Sequence, residues 1–180
     1  MRRKIRKELI GQFRREFERR FPQFKRHTKK SDDPIWAWAL AFNLTFFVML
    51  QPFDDKDEFV VEIDWSEDGK FPIDAPTSRR VKVEAPCWRV RLSGLWAAGP
   101  VSDAWEVVPA ETETEWGARQ AALKRGDIKR YLREPTEAEV LPRVAPLVED
   151  AVQKLIDFGL PLFRRVAEQR GLAWPDHEIG

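Results

Sequence analysis

The chain has 180 residues, 43% hydrophobic and 34% charged, with 31 Lys/Arg against 30 Asp/Glu and a net charge of +1. This is the size and mix of one globular domain over residues 1–180, able to bury a core without disulfide or metal, and its single cysteine, Cys87, excludes an internal disulfide framework. No apolar run is long enough to predict a membrane span, and none follows the basic start as in a secretory signal, so the expected setting is the reducing cytoplasm.

The near-zero total hides a split. Residues 1–30 hold 13 Lys/Arg and 3 Asp/Glu, whereas the other 150 hold 18 and 27. Residues 3–21 predict an amphipathic helix, because Ile5, Leu9, Phe13 and Phe17 recur every four positions with Ile10 and Phe21 beside them. Lys4, Lys7, Arg14, Arg15 and Arg19 fall on the opposite arc, and Arg14–Glu18 and Glu16–Arg20 are spaced for ion pairs. Arg6 lies within the apolar arc and must run its stem along the core. Pro22 closes the helix, and Lys25, Arg26, Lys29 and Lys30 continue the charge in a loop. These cations form the first candidate binding patch. They either complement an acidic face of the body or grip an anionic partner, and the sequence leaves both open.

Residues 34–108 read as β-rich. Trp36, Trp38 and Leu40 alternate with Ala37 and Ala39, and Phe42, Leu44, Phe46, Val48 and Leu50 alternate with Asn43, Thr45, Phe47, Met49 and Gln51. The run from 35 to 51 is long for one strand and predicts a bend or bulge near Asn43. Phe59, Val61, Ile63 and Trp65 form one face of the clearest strand, with Glu62 and Asp64 on the other. Glu67-Asp68-Gly69-Lys70 is a turn, and residues 71–80 read as a loop. A short edge strand is expected at 81–83, a longer one at 87–96 and a last one at 104–108. Neighbouring strands of this kind favour an antiparallel meander. Residues 116–171 read as helical. A short helix is expected over 116–124, a capping box at Thr136 and Glu139, a regular helix from Pro146, a C′ glycine at Gly159 and a last helix opened by Pro161.

Leu50-Gln51-Pro52, the strand from Phe59 to Ser66, Phe71-Pro72, Arg91-Leu92 with Leu95-Trp96, and Gly159-Leu160-Pro161 are spread in order along most of the chain. Together they resemble a group of small bacterial proteins classed as a domain of unknown function. The resemblance implies an α+β fold with a basic first helix, a central sheet and carboxy-terminal helices. It brings no functional residue with it.

Catalytic constellations are thin. His27 sits among cations and reads as a solvated loop residue, His177 lies near the end, and no Gly-x-Ser-x-Gly elbow exists. One cysteine and two distant histidines build no zinc site, so no metal and no cofactor are expected. Glu62 and Asp64 stand roughly 7 Å apart on one strand face, a spacing open to carboxylate chemistry. Arg89 and Arg91 share that i,i+2 spacing, so a cross-strand ion ladder is the simpler expectation. Trp36 and Trp38 form a second candidate patch, either a stacking platform or the roof of a helix core.

The expected fold is thus α+β: an antiparallel sheet of four to six strands with amino- and carboxy-terminal helices packed on one face. The expected function is a non-enzymatic, cytoplasmic protein-interaction module. An accessory or immunity-type role in a bacterial defence or toxin system attaches to it by protein type and by no residue. The alternative is nucleic-acid binding through the basic helix and loop.

Overall fold

A computed structural model describes residues 1, 3–27, 33–53, 57–75, 77–78, 80–96, 104–107, 121, 124–125 and 137–175. Helix α1 (Arg3–Arg20) forms where the four-residue spacing requires it, with Ile5, Leu9, Phe13 and Phe17 fully buried. The rings of Phe13 and Phe17 meet Trp36 at 5.6 and 4.8 Å. After it come β1 (Lys25–Arg26), β2 (Ile35–Ala41), β3 (Leu44–Pro52), β4 (Glu58–Ser66), β5 (Thr77–Ser78), β6 (Cys87–Arg91) and β7 (Trp105–Glu106). A 3-10 turn (Leu92–Leu95) follows β6. The chain ends in α2 (Glu137–Lys154), a π turn (Leu155–Gly159) and α3 (Leu160–Glu168).

The strands make one sheet in the order β1-β2-β3-β4-β6-β5, with β7 also on β4. Pairing is antiparallel except between β5 and β6. The longer strands β2, β3, β4 and β6 carry the α+β layout expected from the sequence, and the two-residue strands β1, β5 and β7 bring the total among the described residues to seven. Phe46, Val48 and Leu50 of β3 and Phe59, Val61, Ile63 and Trp65 of β4 share one core with the stripes of α1, α2 and α3. The helices therefore lie on one face of the sheet. Among the described residues no helix is long and apolar enough to cross a membrane.

Several local expectations are corrected. The run from 35 to 51 reverses rather than bends: Phe42 and Asn43 form a turn closed by the Ala41–Leu44 pair, and the irregularity falls between Ala39 and Ala41. A two-residue turn lets both halves alternate against the same core, which one bent strand would not. Residues 81–83 form no strand. Arg170 takes the carbonyls of Val83 and Ala85 at 2.8 and 2.6 Å, which occupies acceptors a ladder would use. The strand from Cys87 stops at Arg91 and tightens into the 3-10 turn.

In α2, Pro142 and Pro146 lie inside the helix rather than before it. Both are exposed and four residues apart, so the carbonyls that lose their N–H partners are on the side water reaches. The buried stripe of Val144, Val148, Ala151 and Val152 carries the helix through. Gly159 is not a C′ glycine. Its φ of −70° and ψ of −50° are helical, and the π turn leads straight into α3. Glycine leaves room there: a Cβ would stand 2.4 Å from Leu155 Cδ1 and 3.4 Å from Leu92 Cδ1, so an added methyl requires the Leu155 side chain to move. Of the expected helix over 116–124, only Ala121 and Lys124 are among the described residues, both helical. Thr136 of the capping box and His177 lie outside them.

Gly159→Ala is accordingly expected to lower stability by roughly 1–3 kcal/mol through overpacking, read as a lower denaturant midpoint at unchanged slope. An unchanged midpoint would show that Leu155 and Leu92 yield without strain.

Candidate functional site

The face of the sheet away from the helices is built by the alternation of β4. Glu62 and Asp64 point there, opposite Arg91 and Arg89 of β6 in register. The cross-strand ladder expected from the i,i+2 spacing is therefore present. Arg89 Nε donates to Asp64 Oδ1 at 2.7 Å and stands 3.5 Å from Glu62 Oε2, and Arg91 Nε stands 3.8 Å from Glu62 Oε1. Thr77 of β5 adds its hydroxyl to Glu62 at 3.0 Å. This face does not display its carboxylates to solvent: Asp64 is 0% and Glu62 2% exposed. Buried, the carboxylates are committed to arginine, and they offer no open pair for hydrolysis or for a cation.

Burial dominates Asp64. Its Oδ2 and the Nη2 of Arg89 find no hydrogen-bond partner among the described residues, so the ion pair rests on one good N–H···O contact. Desolvation raises the Asp64 pKa to about 7, against the opposing pull of Arg89 and with a further push from Glu62. The guanidinium of Arg89 also lies 4.7 Å from the centre of the Phe71 ring, which meets Phe47 edge-on at 5.5 Å. Arg89 thus joins the carboxylates to the loop after β4 and fixes Phe71 over the sheet.

Phe71 is also one wall of a cleft of about 720 Å³ at the end of the sheet. The cleft is lined by Phe71, Pro72, Ile73 and Pro86, with Asp68, Lys70, Asp74 and Cys87 among its polar neighbours. Its geometry follows from local chemistry. Gly69 takes φ +72°, which only glycine adopts without strain, and Asp68 accepts the Lys70 backbone N–H at 3.0 Å. That hydrogen bond leads the causes that lower the pKa of Asp68. Opposite, Arg170 pairs with Glu67 at 2.8 Å while holding the Val83 and Ala85 carbonyls, so the segment reaching Pro86 is tied down.

Among the described residues, the large hydrophobics left exposed are Phe42, fully so, and Ile73, at 75%. Both lie at this same end of the sheet. The Phe42-Asn43 turn adjoins Leu44, the neighbour of Thr45; Thr45 pairs with Ser66, and Ser66 pairs with Cys87 on the cleft wall.

The sequence-derived patches lie elsewhere. Lys4, Lys7, Arg14, Arg15 and Arg19 are exposed along α1, and Lys25 and Arg26 are exposed on β1. Lys29 and Lys30 lie outside the described residues. Among the described residues, the ion pairs of α1 are made with its own glutamates and with Asp33. Arg14 pairs with Glu18 at 3.1 Å, Arg19 and Arg20 pair with Glu16 at 2.7 and 2.6 Å, and Arg6 reaches Asp33 at 3.0 Å. The hydrogen bond from Arg19, helped by that from Arg20, holds Glu16 below the usual carboxylate range. Lys4, Lys7 and Arg15 make no ion pair among the described residues.

Trp36 is fully buried, with its indole N–H donating to Glu18 at 3.2 Å, so it offers no stacking face; of the two alternatives for the Trp36–Trp38 patch, Trp36 takes the core one, which corrects its candidacy as a binding residue. Trp38 is half-buried against Phe24, Phe46 and Trp174. His27 lies edge-on to Phe47 at 5.3 Å, on the face opposite the helices. The alternation that put Phe42 on the apolar face of a strand is corrected, because Phe42 stands exposed in the turn, and neither Ile73 nor the cleft carried a periodic signal. The usable signal was apolar side chains at turn and loop positions, Phe42 beside Asn43 and Ile73 between Pro72 and Asp74, where burial by alternation does not apply.

No protein-family model, curated protein or solved structure matches the chain.

Two outcomes follow from the ladder. At pH 8, where Asp64 is ionised in the natural chain, Arg89→Met is expected to destabilise by about 3–5 kcal/mol, because it removes the main partner of a buried carboxylate; a loss below about 1 kcal/mol in denaturant titration would contradict that. The folded Asp64 keeps its proton to about pH 7, whereas the unfolded chain releases it near 3.8. Between these values the folded state binds more protons, so this residue's contribution falls as pH rises. The stability of the natural chain relative to Asp64→Asn should therefore drop by up to roughly 4 kcal/mol from about pH 4 to about pH 8. A pH-independent difference would remove the elevated pKa.

Proposed function

We propose that the chain is a non-enzymatic module that binds another protein through the end of its sheet around the Phe71–Ile73 cleft. The observation that carries this reading is the coincidence of Phe42, Ile73 and an apolar-walled cleft at one end of the molecule. Isolated exposed hydrophobics are ordinary; two large ones at the same end as such a cleft mark an interaction surface. The walls are fixed by Arg89, Gly69 and Arg170, which favours binding with little ordering cost. The free, exposed thiol of Cys87 suits a reducing compartment, so the cytoplasm is the setting we assign.

The basic arc supports a second reading, nucleic-acid binding, through the exposed Lys4, Lys7 and Arg15. It is the weaker one, because four arginines of α1 already hold carboxylates.

Selection of a random peptide library on the immobilised chain tests the first reading, with Ile73→Asp as control. Ile73 is exposed, so the variant should fold with an unchanged melt. Enrichment on the natural chain and none on the variant is expected. Equal enrichment on both, or none on either, would sink the assignment. In parallel, labelled DNA and RNA are expected to show no anisotropy change at low salt; binding with a steep salt dependence would favour the basic helix instead.

A further inference from the structure

We infer that the occupant of the cleft is an extended protein segment in which a large apolar side chain is followed or preceded closely by a lysine or arginine. This inference rests on the reading of the sheet end as a protein-binding surface and adds the chemistry of what it takes.

The apolar half of the requirement comes from the walls. Phe71, Pro72, Ile73 and Pro86 line a space of about 720 Å³, within the range of roughly 300–1,000 Å³ typical of ligand sites and more than one side chain fills. An isolated apolar group would leave the remaining volume wet. An extended segment carries neighbouring residues along the opening, where the wall residues give way to charged ones.

The cationic half comes from the rim. Glu67 is spent on Arg170, and that pair is internally neutral. Among the described lining residues, what remains is Asp68 and Asp74 against Lys70, a negative balance at the mouth. Asp68 is firmly ionised, since the Lys70 backbone N–H that it accepts lowers its pKa. Asp74 is exposed. A partner bearing a phosphate or a carboxylate at this position would meet like charge at the edge of an apolar surface, and complementarity therefore selects a cation. Ile73 lies between the two requirements in sequence, next to Asp74 and beside Pro72. A segment that covers Ile73 with its apolar residue brings its next side chains toward the acidic rim.

The peptides enriched on the full chain decide the matter. They are expected to carry Leu, Ile, Phe or Trp within two positions of Lys or Arg. Their affinity should fall with added salt. Asp68→Asn together with Asp74→Asn keeps the side-chain oxygen that the Lys70 N–H uses, and it should weaken the same peptides about tenfold at low salt while flattening their salt dependence. Enriched peptides that lack a basic residue, or that bind the double variant unchanged, would overturn this inference and leave the protein-binding surface standing. Enrichment of acidic peptides would overturn it as well. Absence of any enrichment, or enrichment indifferent to Ile73→Asp, would remove the surface itself, and the inference with it.

Discussion

Strand β4 is covered on both faces, and this constraint organises the molecule. Its odd-numbered apolar residues, Phe59, Val61, Ile63 and Trp65, enter the helix-side core. Its alternate residues, Val60, Glu62, Asp64 and Ser66, are just as inaccessible. A strand buried on both sides ordinarily reads as a continuous apolar run. Here two carboxylates interrupt the run, and neither can be left alone in a dry environment. Only a neighbouring strand with arginines at matching spacing resolves the conflict. Arg89 and Arg91 provide it, and in doing so they fix the register of β6 against β4. A slip by one residue would put both guanidiniums in the helix core and both carboxylates opposite apolar side chains.

The amino-terminal helix solves a different problem with separate means. Its apolar stripe closes the helix side of the core, and Phe13 and Phe17 seat on Trp36. Its surplus charge is handled largely within the helix by Glu16 and Glu18. Glu18 does two tasks at once, receiving Arg14 from its own helix and the indole N–H of Trp36 from the sheet. The acidic character of the body and the basic character of the helix are thus mostly independent. The sheet's buried acids are matched by the sheet's arginines, and the exposed cationic arc is left facing outward. Among the described residues, Arg6 reaches Asp33 outside the helix, and the larger part of the docking is apolar burial.

Much of this was legible in the sequence, because the signals were periodic. Four-residue spacing located α1 to within a residue of its end, and strict alternation sorted β3 and β4 onto their faces. The i,i+2 match of Glu62 and Asp64 with Arg89 and Arg91 anticipated the ladder. Its burial was not legible, since that depends on Phe71 and Thr77, which arrive from a loop with no period of its own. The prolines of α2 and Gly159 misled for a related reason. Local rules put Pro at a helix start and Gly at a helix end, but a strong buried stripe overrides the first, and a close approach of Leu155 and Leu92 explains the second. The reversal at Phe42-Asn43 was hidden because a bend and a hairpin turn leave the same alternation on either side.

A buried ion cluster is a poor device for stability, since apolar residues of the same volume would often serve as well or better. What Arg89 contributes beyond neutralising Asp64 is position: its guanidinium plane holds the ring of Phe71, and Phe71 is a wall of the cleft. On the facing side Arg170 plays a parallel part, reaching from the end of α3 to hold the backbone that leads to Pro86. Both arginines spend their charge inside the protein and leave an apolar surface in a fixed shape outside it. Loops of five to ten residues on their own would sample many shapes, and a partner would have to order them at a cost in affinity. With the two arginines in place that ordering is done during folding. The charged interior of the sheet and the apolar cleft at its end are therefore one construction, in which buried electrostatics sets the geometry of an exposed hydrophobic surface.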